Sequence, residues 1–351
     1  MTSHTVHRLE YIQDVRNYRF NFMQEGFTKG PHIFVDCLEP DFKFDAYMKL
    51  FNFLPKDTNA VMIVAPYVTD VQVSMLEQFM PVFKYDQLLH ETCIDTPLDT
   101  VWNNDSDKFV CLTGQPAKYN RYRLIVELDK HGLLEKCIHS LVVLPEEYDT
   151  CLKLLDDDDR EHYSDKFTIL NNNPDKSIWY QSSSGSSWHG CDGCKQEIVS
   201  GNLFRLVTES AYTESVEFSP ICITEKTYSA IAYRMPFIIA GQPGSLAHLK
   251  QMGFNTFDEY LISPYDDITD PKQRLDAVIE NTKHWTEHLS QAPGVLDAIE
   301  HNHHRLQELM KQQQTQLDQV FKKLGIPYDF SKLALKPMLD SMNNNEKKVD
   351  I

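Results

Sequence analysis

A nearly continuous apolar run, AVMIVAPYV at Ala60–Val68, constrains the fold of this chain more than any other stretch. Such a run is typical of a strand that is buried on both faces of a parallel sheet. A shorter strand-like run, His32–Leu38, comes before it, and helical apolar spacing is found at Phe42–Leu54 and Val71–Phe83. Because strands alternate with helices, the sequence predicts an α/β fold.

The same alternation continues through the second part of the chain. The predicted strands are Lys108–Leu112, Ile138–Leu144, Leu203–Thr208 and Pro236–Ala240, and the predicted helices are Tyr119–His131, Glu225–Arg234, Pro271–Leu289 and Gly294–Leu324. A polar, linker-like stretch at Cys93–Asp107 separates the two parts. We therefore predict an α/β domain at 1–104, a second α/β domain at 105–290, and a long helix with a tail at 291–351.

The composition indicates a reducing, non-membrane setting. Eight cysteines in 351 residues are too sparse for a disulfide scaffold. No apolar run approaches the roughly 20 residues that a membrane helix needs, and the first residues have no apolar signal-peptide core. We expect a cytoplasmic protein. Thirty-four basic and 51 acidic side chains give a net charge of −17, which disfavours non-specific nucleic-acid binding, although a local basic groove remains compatible with it.

The start of the predicted helix at Glu225 has the features of an anion-binding site. Thr224 can cap this helix, which places Glu225, Lys226 and Thr227 in its first turn. A helix start exposes unpaired N–H groups and a partial positive charge, and a lysine beside it adds to both. A neighbouring carboxylate can accept hydrogen bonds from a ribose diol. The local chemistry therefore suggests a nucleoside diphosphate.

A second part of the same site is predicted at the end of an earlier strand. The turn that contains Thr113 and Gly114 follows Lys108–Leu112, and Arg121 lies in the first turns of the next helix. In open α/β sheets, ligands bind at the carboxyl ends of the strands. We expect these residues to contribute to ligand binding.

Three other patterns allow a metal site or a structural role. The run Asp156–Asp159 resembles an acidic metal-binding motif, but a solvated loop at a helix end is the favoured interpretation. His189, Cys191 and Cys194 offer three soft ligands in a flexible Ser/Gly-rich stretch, whereas a closed zinc site needs four, so a mobile loop is favoured. For His301, His303 and His304, a polar helix face is favoured over metal binding.

Two blocks resemble a family of glycosyltransferase-like proteins found mainly in tailed bacteriophages and some bacteria. The first block is FVCLTGQPAKYNRYRLIVELDKHGLLEKCIHSL at Phe109–Leu141. The second begins LVTES and continues ITEKTYSAIAYRMPFIIAGQPGSLAHLKQMGFNTF, followed by SPYDDITDPKQRLDAVIEN, within Leu206–Asn281. The second block is also similar, more loosely, to the nucleotide-binding half of fucosyltransferase-like enzymes. Both blocks lie in the second predicted domain, and the residue before the family's Arg, often His, is Asn120 here.

The resemblance implies a GT-B-like architecture, in which two Rossmann-like domains face each other across a cleft and the second binds the nucleotide sugar. It assigns Glu225 to the ribose, Lys226 to phosphate and Arg121 to a second phosphate contact. No metal cofactor is required in such an architecture. A general base is expected from the first domain, and Asp36 is the first candidate, with a capping role as its alternative. Glu209 is a further candidate for contacting the donor or closing the cleft.

The resemblance leaves three functions open. The leading one is a glycosyltransferase that modifies hydroxymethylated, or already glycosylated, cytosine in phage DNA, in the host cytoplasm. A second is transfer to a glycan, a lipid-linked sugar or a protein. The third is a non-catalytic nucleotide-sugar-binding or assembly protein, whose long helix at Gly294–Leu324 could bind a partner helix.

Overall fold

The structure is a computed structural model in which a defined part of the chain is described. The described residues are 5–8, 32–36, 47–48, 51–52, 60–66, 68–86, 102–113, 118–141, 148–164, 201–213, 221–323 and 325. They form two compact units. One contains described residues between Met1 and Ile94 and those from Glu308 onward, and the other contains described residues between Asp95 and Gln307.

The first unit contains a parallel four-stranded sheet. Its strands are β1 (Thr5–Arg8), β2 (His32–Asp36), β3 (Ala60–Val64) and β4 (Val82–Lys84), and they lie side by side in chain order. β3 pairs with β2 from Ala60 to Val64, and every residue of β3 is buried. The first part of the apolar run, Ala60–Val64, is therefore an inner strand, as predicted, and the strand ends before Pro66.

One helix of this unit is shorter than predicted. Helix α1 is Asp70–Leu76, and Thr69 begins it with a capping box to Gln72. The predicted helix continued to Phe83, but the chain turns after α1, passes through Pro81 and enters β4. Proline cannot continue a helix, and the carbonyl of Pro81 accepts a hydrogen bond from the backbone of Met62 at 2.9 Å. The predicted helix was therefore wrong from Glu77 to Phe83.

The second unit contains another parallel sheet with a different strand order. The strands are β5 (Phe109–Leu112), β6 (Cys137–Ser140), β7 (Arg205–Thr208) and β8 (Phe237–Ala240), arranged β6-β5-β7-β8. The chain moves outward from β5 to β6 and then crosses to the other side of β5. The point between β5 and β7 is therefore a topological switch point, where open α/β sheets bind ligands outside the carboxyl ends of the strands.

The two strands at this point pair over a short length. Among the described residues, their ladder contains the single register pair Val110–Arg205, whereas β7 and β8 pair at four positions. Two further backbone hydrogen bonds join this part of the chain outside the ladder, from Leu203 N to Lys108 O at 2.7 Å and from Val110 N to Phe204 O at 3.1 Å. We refer to this junction between β5 and β7 as the seam.

Helices and an aromatic cluster surround the second sheet. Phe204 stacks on Phe109 at 5.0 Å between ring centroids and contacts Trp285 edge-on at 5.4 Å. The helices are α2 (Tyr119–Lys130), α3 (Tyr148–Leu152), α4 (Asp157–Tyr163), α5 (Glu225–Ala232), α6 (Ser245–Gln251), α7 (Pro271–His288) and α8 (Val295–Lys323), with short 3-10 turns at Leu134–Lys136, Asp258–Tyr260 and Leu289–Gln291.

A buried arginine holds the loops at the carboxyl edge of this sheet. Arg274, on α7, donates from Nε to the carbonyl of Gly241 after β8 at 3.2 Å and from Nη1 to Ile268 at 2.6 Å. It also donates to the carbonyl of Tyr212 after β7, and its guanidinium lies 4.3 Å from the centroid of the Tyr212 ring. One side chain therefore ties the loops after β7 and β8 to α7.

The acidic run Asp156–Asp159 forms a helix start that is neutralised by basic side chains. Asp156 caps α4, and its side chain accepts from the backbone N–H of Asp159. The Arg123 guanidinium, 4% exposed, lies 2.6 Å from Glu127, 2.9 Å from Asp159 and 3.0 Å from Asp156. Lys130 contacts Glu127 and Asp159 as well. We call these residues the α2–α4 ion network. The favoured interpretation of a solvated loop was wrong for Asp157–Asp159, because these residues form the first turn of α4 and Asp159 is buried against cations.

The mixed α/β class with parallel sheets is confirmed. The boundaries at 104 and 290 stay predictions, and the long helix α8 contains residues of both compact units. In the part of the chain that is described, no helix combines the length and apolar character that a membrane span requires.

We predict that Arg123→Met lowers the free energy of unfolding by about 3 kcal/mol, since it leaves buried carboxylates without their cation. Chemical denaturation of both proteins measures this. Lys272→Met is the matched control, because Lys272 also faces Asp156, at 3.8 Å, but is 62% exposed. Its effect should stay within about 0.5 kcal/mol. Equal losses in the two variants would contradict the assigned importance of the buried cation.

The same network predicts a dependence of stability on acid. Burial raises the pKa of Asp156, but the Asp159 N–H and Arg123 outweigh this and lower it from 3.8 to about 2. A lowered pKa stabilises the folded state above pH 3.8, and this contribution is lost as the pH falls through 2. Asp156→Asn keeps a capping side chain. It should be less stable than the parent at pH 7, with the difference shrinking between pH 4 and pH 2 in urea titrations. A constant difference would refute the assignment.

Candidate functional site

The carboxyl ends of β5 and β7 bring together most of the residues that the sequence proposes for a ligand site. β5 leads to α2, which carries Arg121, and β7 ends at Thr208, immediately before Glu209. α5 begins at Glu225 and packs against β7 and β8. These elements meet at the switch point of the second sheet.

The carboxylate of Glu209 connects the end of β7 to the first turn of α5. Glu209 is fully buried. Its Oε1 accepts from the backbone N–H of Thr224 at 3.1 Å and from the hydroxyl of Thr227 at 2.6 Å. Its Oε2 accepts from the hydroxyl of Thr224 at 2.5 Å and from the N–H of Ser210 at 3.3 Å. The described contacts give Glu209 a positioning role, while a direct contact with a donor stays a prediction.

Lys226 and Glu225 lie on the outer side of this turn. The ammonium of Lys226 is 2.6 Å from Glu225 Oε1 and donates to the Thr224 hydroxyl at 3.2 Å. Both charged side chains are partly accessible, with exposed fractions of 18% for Lys226 and 16% for Glu225. Thr224 caps α5 as predicted. The turn therefore presents an ammonium and a carboxylate side by side at a helix start.

The first turn of α2 contributes a buried guanidinium and a buried carboxamide. Arg121 is 4% exposed; burial lowers its pKa, and the charges of Glu209 and Glu225 oppose that shift. It remains a cation, since arginine does not deprotonate in proteins. Asn120 donates from Nδ2 to the carbonyls of Glu209 at 2.8 Å and Ala240 at 2.9 Å. Its Oδ1 has no hydrogen-bond partner within the described structure.

The sequence analysis missed Lys118 and Ser210. Lys118 is the N-cap residue of α2, and its ammonium donates to the carbonyl of Ser210 at 2.7 Å. Lys226 reaches the hydroxyl of the same serine at 3.5 Å. A lysine at a helix start is the same signal that identified Lys226, so Lys118 could have been found by that criterion. Ser210 has no comparable signal in the sequence.

The charges of this edge are suited to an anion. Lys118, Arg121 and Lys226 supply three cations, and two carboxylates accompany them, one of which is enclosed by hydrogen-bond donors. The start of α6 is less suited to an anionic ligand than the starts of α2 and α5. Its first turn is already occupied by Asp266, whose carboxylate accepts from the N–H groups of Leu246 and Ala247 at 2.8 Å each. The partial positive charge of a helix start favours negative ligands.

The other proposed residues are placed as follows. Thr113 is buried at the end of β5 and donates its hydroxyl to Ser140 O at 2.6 Å. Asp36 is the last residue of β2, where its backbone is in register with Val64, and its catalytic role stays a prediction. Residues outside the described part of the chain are Gly114, His189, Cys191 and Cys194.

Of the three histidines of α8, His301 and His304 are exposed, as expected for a polar helix face, whereas His303 is buried. His303 is 4% exposed and lies 3.0 Å from the amide of Gln307, and the Nε2 of His301 lies 2.9 Å from the carbonyl of Gly253. Within the described ranges, no group of three or more histidine, cysteine, aspartate or glutamate side chains is arranged to hold a metal ion.

A cavity of about 140 Å³ lies elsewhere in the second unit, with Tyr260, His284 and Trp285 in its wall. Trp285 contacts Phe204, which precedes β7, so this cavity adjoins the amino ends of the strands. It is also smaller than the roughly 300 Å³ at which ligand pockets begin. The switch point is therefore the better candidate.

We predict that Glu209→Gln lowers the free energy of unfolding by about 2 kcal/mol, because the amide cannot accept from every donor that surrounds the carboxylate. Urea denaturation measures the change. Thr208→Val is the control: Thr208 is equally buried, and its hydroxyl has no partner among the described residues. This control should be within about 0.5 kcal/mol of the parent or more stable. A neutral Glu209→Gln variant would contradict the positioning role.

Comparison of the chain with protein-family models, with curated proteins and with solved structures finds no match. The candidate site therefore rests on its residues and geometry, and the resemblance to glycosyltransferases stays an expectation.

Proposed function

We propose that this protein is a glycosyltransferase that moves a sugar from a nucleoside-diphosphate donor to an acceptor hydroxyl. One observation carries the proposal: Arg121, Glu225 and Lys226 converge at the switch point of a parallel sheet, and Glu209 fixes the turn that presents two of them. Cations beside a carboxylate suit a ligand that combines phosphate with a ribose diol. The resemblance of both sequence blocks to nucleotide-sugar transferases supports the same conclusion.

The chemistry needs stabilisation of the leaving group. In the transfer step, the bond between the anomeric carbon and the phosphate oxygen breaks, and a bond from the acceptor oxygen to that carbon forms. The nucleoside diphosphate leaves with its bonding electron pair, and the acceptor proton passes to a general base. Lys226, Arg121 and the start of α5 would stabilise the negative charge that develops on the diphosphate. Glu225 would accept hydrogen bonds from the ribose.

The finer features of the proposal come from the sequence. They are a GT-B arrangement, Asp36 as the general base, and hydroxymethylated cytosine in phage DNA as the acceptor. A glycan, lipid-linked sugar or protein acceptor is the alternative, and the net charge of −17 favours it over bulk DNA binding. A non-catalytic nucleotide-sugar-binding protein is the further alternative.

We predict that Lys226→Ala and Glu225→Ala each weaken the binding of nucleoside diphosphates, as measured by isothermal titration calorimetry. The lost contacts are charge-assisted hydrogen bonds, each worth about 1.5–3 kcal/mol, or about 10- to 150-fold in affinity. Circular dichroism should show that both variants remain folded. Lys283→Ala is the matched control, because Lys283 is exposed on α7 and is not part of the site. Unchanged affinity in the first two variants would contradict the assignment.

The activity itself is tested by incubating the full chain with a panel of nucleotide sugars and either hydroxymethylated DNA or glycan acceptors. Nucleoside and glycan mass spectrometry then report any gain in mass. A hexose-sized increase on the nucleoside supports DNA modification, and one on the glycan supports the alternative acceptor. Donor binding without transfer or donor hydrolysis indicates a binding protein. Absence of both binding and transfer with every donor refutes the proposal.

A further inference from the structure

We infer that Lys118 is a second phosphate-binding lysine of this site, so that a diphosphate is held by ammonium groups from two different helices. This inference rests on the proposed function, because the diphosphate it concerns is that of the proposed donor. It assigns a ligand-binding role to a residue that has no such role in the sequence motifs or in the resemblance.

The first support is the convergence of two lysines on one residue. Lys118 Nζ lies 2.7 Å from the carbonyl oxygen of Ser210, and Lys226 Nζ lies 3.5 Å from its hydroxyl oxygen. Lys118 is at the N-cap position of α2, and Lys226 lies in the first turn of α5. The two ammonium groups are therefore brought to the same short segment after β7 from two sides of the seam.

The second support is the way the two helices begin. α2 starts without a side-chain hydrogen bond to its cap and without an acidic residue in its first turn. In contrast, Asp266 occupies the first turn of α6, and the N-cap residue of α5, Thr224, donates its backbone N–H to Glu209. The start of α2 thus combines a partial positive charge with Lys118 and the buried Arg121.

A third observation shows that this edge has unused hydrogen-bonding capacity. The Nδ2 of Asn120 donates to the carbonyls of Glu209 and Ala240, which fixes the orientation of the carboxamide. Its Oδ1 belongs to the same planar group, is fully buried, and has no partner within the described structure. A ligand that carries hydroxyl groups beside its phosphates would supply a donor for this oxygen.

Two ammonium groups from different helices suit a diphosphate better than a monophosphate. A diphosphate carries more negative charge and has two phosphate groups, so each phosphate can pair with one lysine. The chain has a net charge of −17, which disfavours anion binding in general. Three cations at one edge of the sheet provide a local attraction that opposes this effect. The arrangement therefore favours diphosphate-linked donors over monophosphate-linked ones.

The test measures binding of inorganic pyrophosphate and of orthophosphate to the full chain by calorimetry at low ionic strength. The key pair of variants is Lys118→Gln and Lys118→Arg. Both keep an N–H donor for the carbonyl of Ser210, but only the second keeps the positive charge. Lys283→Gln on the exposed face of α7 controls for a general change in charge.

We expect wild-type protein to bind pyrophosphate more tightly than orthophosphate. Lys118→Gln should weaken pyrophosphate binding by about tenfold or more, as the loss of one charge-assisted hydrogen bond predicts. Lys118→Arg should stay within about threefold of wild type, and Lys283→Gln should be unchanged. Orthophosphate binding should respond less than pyrophosphate binding to the loss of Lys118.

Full pyrophosphate affinity in Lys118→Gln would show that Lys118 only tethers the segment after β7, and it would overturn the inference. Absence of pyrophosphate binding in the wild type would do the same. The proposed function is judged separately, by nucleotide-sugar binding and transfer. A protein that binds pyrophosphate through Lys118 and Lys226 but neither binds nor transfers any nucleotide sugar would uphold this inference and refute the proposed function.

Discussion

The candidate site depends on one buried carboxylate. Glu209 follows β7 directly, and its two oxygens accept hydrogen bonds from the backbone and side chain of Thr224, from Thr227 and from Ser210. A buried charge of this kind is costly unless its hydrogen-bonding capacity is used. Because all four donors belong to the next residue or to the start of α5, the cost of burying Glu209 is offset only when this turn is formed. The positions of Lys226 and Glu225 follow from that requirement.

Charged residues are used in two different ways in the second unit. In the α2–α4 ion network, Arg123 and Lys130 neutralise carboxylates that could otherwise attract a cation. At the switch point, cations outnumber carboxylates and the balance is reversed. Opposite sides of α2 contribute to the ion network and to the candidate site, since Arg121 and Arg123 are two residues apart on this helix. Residues two apart on a helix do not share a face.

The sequence predicted the class of fold and the start of α5 because those features depend on local patterns. The apolar runs locate β3, β5 and β8, and Thr224 is a cap that can be recognised within its own turn. Other features depend on partners that are distant in the chain. Arg123 meets Asp156 across 33 residues, and Asn120 meets the carbonyl of Ala240 across 120 residues. No periodicity or short motif contains such pairs, so the ion network, the enclosure of Glu209 and the convergence on Ser210 became visible only in three dimensions.

The short pairing at the seam has a mechanical consequence. β6 and β5 form one half of the second sheet, β7 and β8 form the other, and the ladder between the halves contains the single described pair Val110–Arg205. Lys118 and Arg121 come from the helix that follows the first half, whereas Lys226 follows the second half. A ligand held by all three would act as a cross-link between the halves, and its binding free energy would add to the cohesion of the sheet. The residues that bind the ligand would then also be the residues through which the ligand joins the two halves of the sheet.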